Sequence, residues 1–260
     1  MSDSMRPSAV AHMGIQAGDY HVRLAETLDD LRAVQRVRFE VFHQELGEGL
    51  AGAAELGRDE DRFDEHCDHL MLVDSARDQI VGTYRMQTAE RAIAGAGFYC
   101  DSEFRIADLP SEIVANSVEL GRACIARDHR RCVALFALWR GIAAYLQLHG
   151  KRYLFGCCSL TGVDTQLALT AKAWLQSQGH DHAVVRTSVR DGYGAVGTAP
   201  SNADLETFKL PSLFHTYLRY GARVCGGPAI DREFGTSDFL VLLDVGELSP
   251  RQRALFFPAD

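Results

Sequence analysis

No apolar run in this 260-residue chain approaches the roughly 20 residues that a membrane-spanning helix needs. No secretory leader is expected either, because Arg6 is followed by a mixed Ser/Ala/His/Gly stretch and not by an apolar segment. The expectation is a cytoplasmic chain whose membrane contact, if it has one, is peripheral and at the inner membrane. An even cysteine set is also lacking. There are seven, with Cys157 and Cys158 adjacent, which argues against a disulfide framework and for buried, reduced thiols. Positive charge is in deficit, at a net −8, which disfavours a nucleic-acid binder but leaves room for a local basic patch. No G-x-S-x-G elbow, P-loop or G-x-G-x-x-G turn is present.

What is there is ordinary globular material: 47% hydrophobic and 24% charged residues, on a chain long enough to bury a real core. Residues 1–18 show no periodicity and read as a frayed lead-in; residues 19–260 read as one domain with no repeat and no linker. Residues 20–25 suggest a first strand. Thr27 then caps a helix, with Asp30 closing a capping box and Leu31, Val34, Val41 and Phe42 on one stripe. A Gly/Ala/Glu-rich loop fills 47–57, and strands are expected at 69–74, 79–86 and 118–125. Residues 133–148 are apolar almost all round, the pattern of a central buried helix, with Gly150 as its stop. A strand at 152–158, a helix capped by Asp164 and running to 178, and a strand at 184–189 follow. Residues 191–202 read as loop, 213–220 as a short helix and 239–245 as a last strand. The order implies α/β architecture with a mixed sheet.

The densest chemical signal is Asp59-x-Asp61-x-x-Asp64, just before the strand that begins near His69. Such carboxylates could hold a cation, a substrate amine or arginines, or could form a solvated acidic loop; the glycine and terminal glutamate of an EF-hand are missing. Arg38, Arg85 and Arg122 each sit inside an apolar helix or strand pattern, where an unpaired charge is costly. For Arg38 the plain alternative is a side chain that snorkels at the core edge. Three arginines and three acids together suggest a partly buried ion-pair network shaping a polar pocket. His66, Cys67 and His69 are closely spaced but lack a second pair at ligand spacing, so no metal is expected.

A second signal is Glu119-Leu120-Gly121-Arg122, leading into Arg127-Asp128-His129-Arg130-Arg131 and the apolar helix. In a regular strand Glu119 and Arg122 point to opposite faces; a bulge at Gly121 would bring them to one side. The helix start behind them offers free N–H groups and arginines, a seat for a phosphate or simply a basic exposed cap. Cys157 and Cys158 read as core residues, and Ser159 has no obvious base nearby.

The run Arg38-x-x-x-Phe42, Asp59-x-Asp61-x-x-Asp64, Gly82-x-x-Arg85, Glu103-Phe104 and Glu119-x-Gly121-Arg122 resembles the N-acylhomoserine lactone autoinducer synthases. The chain is more similar to the ornithine–acyl carrier protein N-acyltransferases, sometimes labelled hemolysin-like. That likeness is carried by Glu119-Leu120-Gly121-Arg122-Ala123-Cys124, Leu138-Trp139-x-Gly141, Tyr153-Leu154-Phe155-Gly156-Cys157-x-Ser159-Leu160 and Tyr217-Leu218-Arg219-x-Gly221-Ala222, and it covers roughly residues 22–245. Two departures stand out. Leu46-Gly47-Glu48 replaces the tryptophan of autoinducer synthases, and residues 127–132 lack the glycines of the usual pyrophosphate loop.

The resemblance implies a GNAT fold: a mixed central sheet flanked by helices and splayed between its fourth and fifth strands, here 118–125 and 152–158, with the acyl-pantetheine arm in the gap. It implies transfer of a (3-hydroxy)fatty acyl group from acyl carrier protein to the α-amine of an amino acid, ornithine first, giving lyso-ornithine lipid. The carrier's phosphopantetheine thioester is then a co-substrate, and no cofactor is expected. Glu119 would be the general base, and a backbone N–H near the end of its strand would steady the oxyanion. Arg85 and Arg122 would orient the acidic loop or bind the amino acid's carboxylate; Asp61 and Asp64 would hold a cationic side chain, with Arg38 and Asp59 beside them. The donor side would fall to Cys124, Arg127, Arg130, Arg131 and Ser159, with Lys151 and Arg152 near. The alternatives are an autoinducer synthase using S-adenosylmethionine, an N-acyltransferase for another amino acid such as glycine, and a GNAT-shaped binding protein without turnover.

Overall fold

Ile15–Ala17 (β1) and Tyr20–Leu24 (β2) form an antiparallel hairpin, turned by Gly18 at φ 59°. The computed structural model describes residues 14–257. Part of the stretch read as a frayed lead-in is therefore the edge of the sheet. Its three residues are too few to show a period of two, so pairing with β2 holds them and not pattern. Residues 1–13 lie outside the described part.

Thr27 and Asp30 make the expected reciprocal capping box for Leu28–Arg38 (α1), which continues as a π-helical stretch, Phe39–Glu45. The Gly/Ala/Glu loop contains one short helix, Ala53–Leu56 (α2). Asp68–Asp74 (β3) and Gln79–Thr88 (β4) are antiparallel, and Ala89–Ala94 (α3) and Ser111–Ala115 (α4) lead to Ser117–Ile125 (β5). Then come Cys132–His149 (α5), Tyr153–Thr161 (β6), Thr165–Ser177 (α6), Asn202–Thr207 (α7) and Ser212–Arg219 (α8). Arg223–Val224 (β7), Ala229–Asp231 (β8), Thr236–Asp244 (β9) and Pro250–Phe256 (α9) complete the described part.

The nine strands form one mixed sheet in the order β1-β2-β3-β4-β5-β6-β9-β7, with β8 also paired to β9. Alternation along β3 shows how it is sandwiched: Leu70 and Leu72 pack in the core built around α5, while Met71 and Val73 pack with Val34 of α1. The 18 residues of α5 are long and apolar enough to cross a membrane by composition, yet the helix lies against the sheet as a core element. Residues 184–189 do not form the expected strand. Val184 is 82% exposed and Val185 buried, and hydrogen bonds from this segment go to scattered loop groups, such as Thr187 N to Cys225 O at 2.6 Å.

The sheet forks where β5 meets β6. Pairing is parallel and stops after Ser117↔Tyr153, Val118↔Leu154 and Glu119↔Phe155. Leu120 and Gly156 then come so close that a Cβ on Gly156 would lie 2.3 Å from the Leu120 carbonyl oxygen. Counted without β1, this is the splay between fourth and fifth strands that the family resemblance implies.

Candidate active site

The expected bulge lies on β5. Thr83↔Cys124 and Arg85↔Gly121 put two steps on β4 against three on β5, and Arg122 takes up the extra residue at φ 47°. Val118, Leu120, Ala123 and Ile125 consequently all face the α5 core. Glu119 and Arg122 share the opposite face, where both meet Tyr99: its backbone N–H donates to Glu119 Oε2 at 3.1 Å, and its ring lies 4.8 Å from the Arg122 guanidinium.

Glu119 stands at the vertex of the fork, buried and held by three donors. Gln87 Nε2 reaches Oε2 at 2.6 Å, and the Cys100 backbone N–H reaches Oε1 at 2.8 Å, beside the Tyr99 contact. A cavity of about 10 Å³ touches Glu119, Leu120, Gly121, Gln87, Tyr99 and Arg85. That is space for about one water.

The three acids and three arginines do meet. Arg38, fully buried at the end of α1, donates to Asp59 at 2.7 Å and to both oxygens of Asp64 at 2.8 and 3.1 Å. Arg85 Nη1 reaches Asp61 at 2.6 and 2.7 Å and Asp64 at 2.9 Å, and Arg122 reaches Asp61 at 3.0 Å. Gln35 adds a bond to Asp64 at 3.0 Å. Burial pushes the Asp61 and Asp64 carboxyls up, but Arg85 and Arg122 beside Asp61, and Arg38 and Arg85 beside Asp64, outweigh it and hold both below the usual range. The network is charge-balanced within itself, so Asp61 and Asp64 already face arginines where a cationic substrate group was expected.

His66, Cys67 and His69 form no cluster. His69 donates from Nε2 to the Asp64 carbonyl at 3.0 Å, and burial brings its imidazole down to about 4 while taking the Cys67 thiol up to about 12. Among the described residues, acids and metal-ligating groups converge elsewhere, at Glu103, Asp231 and Asp238, all buried. Only Glu103 of these figured in the sequence motifs. The other two sit on β8 and β9, and nothing in their local sequence signals that the sheet brings them to Glu103. A second unforeseen group is Tyr84, whose hydroxyl bonds that of Tyr217 and accepts from Trp139 Nε1 at 3.2 Å; burial takes it to about 12. Polar tips in otherwise apolar stripes were its only trace.

The donor-side residues are dispersed. Cys124 packs with Val37, Val41, Phe42 and Phe234, and burial lifts its thiol to about 12, so it is core and not surface. Ser159 is exposed on β6, beyond the fork. Arg127 and Arg131 are exposed before α5, but Arg130 is gripped in a fork by Glu45 at 2.6 and 2.7 Å. Lys151 and Arg152 are not near them: they lie past the other end of α5, about 27 Å away at 1.5 Å per residue, paired with Glu90 and Asp244.

A mixed sheet forked beside a bulged strand and a buried carboxylate is the architecture of a GNAT acyltransferase, and residues 37–140 match the family described as acetyltransferase (GNAT) domain. The L-ornithine N(alpha)-acyltransferase of Rhodobacter capsulatus is 34% identical over 254 residues, covering 91% of this chain and 94% of that one. The protein of the same name from Rhizobium meliloti is 35% identical over 249 residues, covering 88% and 81%. This chain belongs to the L-ornithine N(alpha)-acyltransferase family. Solved structures share the fold at low identity: an N-acyl amino acid synthase from uncultured soil microbes has a TM-score of 0.53 at 11% identity, covering 93% of this chain and 98% of that one. A CoA-dependent acyl-homoserine lactone synthase has a TM-score of 0.52 at 15% identity, covering 92% and 96%.

Proposed function

We propose that this enzyme transfers a (3-hydroxy)fatty acyl group from acyl carrier protein to the α-amine of L-ornithine, giving lyso-ornithine lipid. The observation that carries the reading is the family membership, at 34% identity across nine-tenths of both chains. The geometry supports the chemistry. The thioester arm enters the gap between β5 and β6 beyond Glu119↔Phe155. Glu119, held by Gln87, Tyr99 and Cys100, takes the amine proton directly or through a water in the adjoining cavity. The amine nitrogen then attacks the thioester carbonyl, the oxyanion is steadied by backbone N–H groups of bulged β5, and collapse breaks the C–S bond and releases the pantetheine thiolate, which takes up a proton. The network of Arg38, Arg85 and Arg122 with Asp59, Asp61 and Asp64 fixes the bulge from below and so positions the base.

The test is product analysis. Purified enzyme with 3-hydroxyacyl carrier protein and L-ornithine is expected to yield lyso-ornithine lipid by mass spectrometry. A lactone formed from S-adenosylmethionine in place of that product, or no product at all from a folded enzyme, would overturn the reading.

A further inference from the structure

The protein holds two buried acidic trios, and they differ in one respect. Asp59, Asp61 and Asp64 are matched by three arginines. Glu103, Asp231 and Asp238 have no ion-pair partner among the described residues, although they are only 1%, 6% and 3% exposed. A buried carboxyl without a counter-charge is costly in its ionised form, so it either holds a proton or receives a cation. Among the described residues, Glu103 is moreover without a hydrogen-bond donor from outside the trio. Its carboxyl meets that of Asp238, which also interacts with Ser159. Asp231 Oδ1 is anchored by the Glu233 and Phe234 backbone N–H groups at 2.9 Å, Asp231 Oδ2 accepts from the Tyr99 hydroxyl at 3.3 Å, and Asp238 Oδ2 accepts from Thr236 at 2.8 Å.

We propose that Glu103, Asp231 and Asp238 are the subsite for the side-chain ammonium of the acceptor amino acid, an inference that rests on the acceptor being ornithine as proposed above. Three observations carry it. The first is geometry at the trio. One oxygen from each residue lies within 4.8 Å of the others. An ammonium donating three tetrahedral hydrogen bonds of about 2.9 Å holds its acceptors about 4.7 Å apart. The second is distance to the reacting centre. Tyr99 spans the two sites, its backbone N–H on Glu119 at 3.1 Å and its hydroxyl on Asp231 at 3.3 Å. An extended ornithine separates its two nitrogens by about 6 Å, a reach comparable to that of the tyrosine. With the α-amine at Glu119, an extended side chain would carry the second nitrogen towards the trio. The third is position: Asp238 is the cross-strand neighbour of Ser159, which lies on the limb of β6 beyond the fork.

The protonation of Glu103 agrees with this role. Burial, then Asp238 and Asp231, push its carboxyl up to about 10, with Arg122 opposing. The acid is kept neutral until an ammonium arrives, and binding then releases a proton. The trio also explains how the chain would discriminate. A neutral side chain of the same length leaves three buried carboxyls unpaired, the kind of mismatch that a polar site rejects strongly.

The experiment measures kcat/KM for L-ornithine and for L-norvaline, which lacks only the side-chain amine, with the same acyl carrier protein thioester. Wild type, Glu103→Gln and Asp238→Asn are compared after circular dichroism confirms that each is folded. Wild type is expected to favour ornithine, and each variant to shrink the ornithine-to-norvaline ratio about 10- to 100-fold, mainly through the ornithine KM. A ratio undiminished in either folded variant would overturn the subsite and leave the ornithine reading standing. Equal use of both amino acids by wild type would instead overturn the ornithine reading itself. Wild-type rates are expected to be indifferent to EDTA and to added Mg²⁺, Ca²⁺ or Zn²⁺; a metal-dependent rate abolished in Glu103→Gln would show that the trio takes a metal ion and not an ammonium.

Discussion

Arg38 has no solvent exposure, and its guanidinium holds Asp59 and Asp64 together under the bulged strand. Its arrangement makes a strong demand on its partners. Removing either end leaves a buried charge unmatched, so Arg38→Ala and Asp64→Asn are each expected to cost about 3–5 kcal/mol in urea unfolding. Unchanged midpoints would mean that water replaces the missing partner. Glu119→Gln belongs to the same scale but a different effect. The amide keeps the shape and loses the base, so kcat is expected to fall about 10²–10⁴-fold with the melting temperature little changed; near-normal turnover would move the base to another group. Acids also set the pH response. Asp61 and Asp64 are held low, so their stabilisation is present above the ordinary carboxylate pKa of about 4 and is lost as pH falls through the folded values. Glu103 is raised, so its contribution is present below about 4 and is lost as pH rises towards about 10. Thermal melts between pH 3 and 9 should therefore decline on both flanks, and Glu103→Gln should flatten only the alkaline one. An alkaline flank identical in the variant would show that Glu103 is already ionised in the folded protein.

At the scale of elements, the fork is held by one close approach and one kink. Gly156 lets β6 come against the Leu120 carbonyl, and Arg122 at φ 47° absorbs the extra residue that turns Glu119 and Arg122 to the same side. Gly156→Ala places a methyl carbon 2.3 Å from a backbone oxygen that cannot rotate away. The strands must part, at a cost of about 1–3 kcal/mol. Because Leu120 follows Glu119 directly, kcat should fall as well. Denaturant curves and turnover measured together would decide this: unchanged stability would mean that the two strands slide apart freely at the vertex.

On the scale of the whole molecule, the net −8 opposes an acidic protein partner, so docking of the acyl carrier protein proposed as donor would rely on a local patch. Arg127, Arg130 and Arg131 are all exposed before α5, but Glu45 grips Arg130 and lies 3.7 Å from Arg127, which partly neutralises the patch. Residues 127–132 contain no glycine to let backbone N–H groups wrap a pyrophosphate. Carrier-protein thioesters are therefore expected to outperform acyl-CoA of equal chain length, with an advantage that shrinks with salt and largely disappears in Arg127→Glu/Arg131→Glu. Equal rates for both donors in the wild type would reduce the patch to a solvated cap.

Much of this was legible from the chain alone because it is written locally. The capping box at Thr27, the apolar α5 with its Gly150 stop, and the alternation of β3 and β4 each depend on neighbours a few residues away. Arginines placed in apolar patterns announced buried ion pairs for a similar reason: a charge in such a position must find a partner. Tertiary structure alone decided which partners those were and what remained unpartnered. It closed Asp61 and Asp64 with arginines, separated Lys151 and Arg152 from the patch by the length of α5, and enclosed Glu103 with Asp231 and Asp238 from strands over a hundred residues later. Local pattern records how a side chain faces the core. It does not record which strand lies opposite, and in a sheet that pairing decides where charges meet.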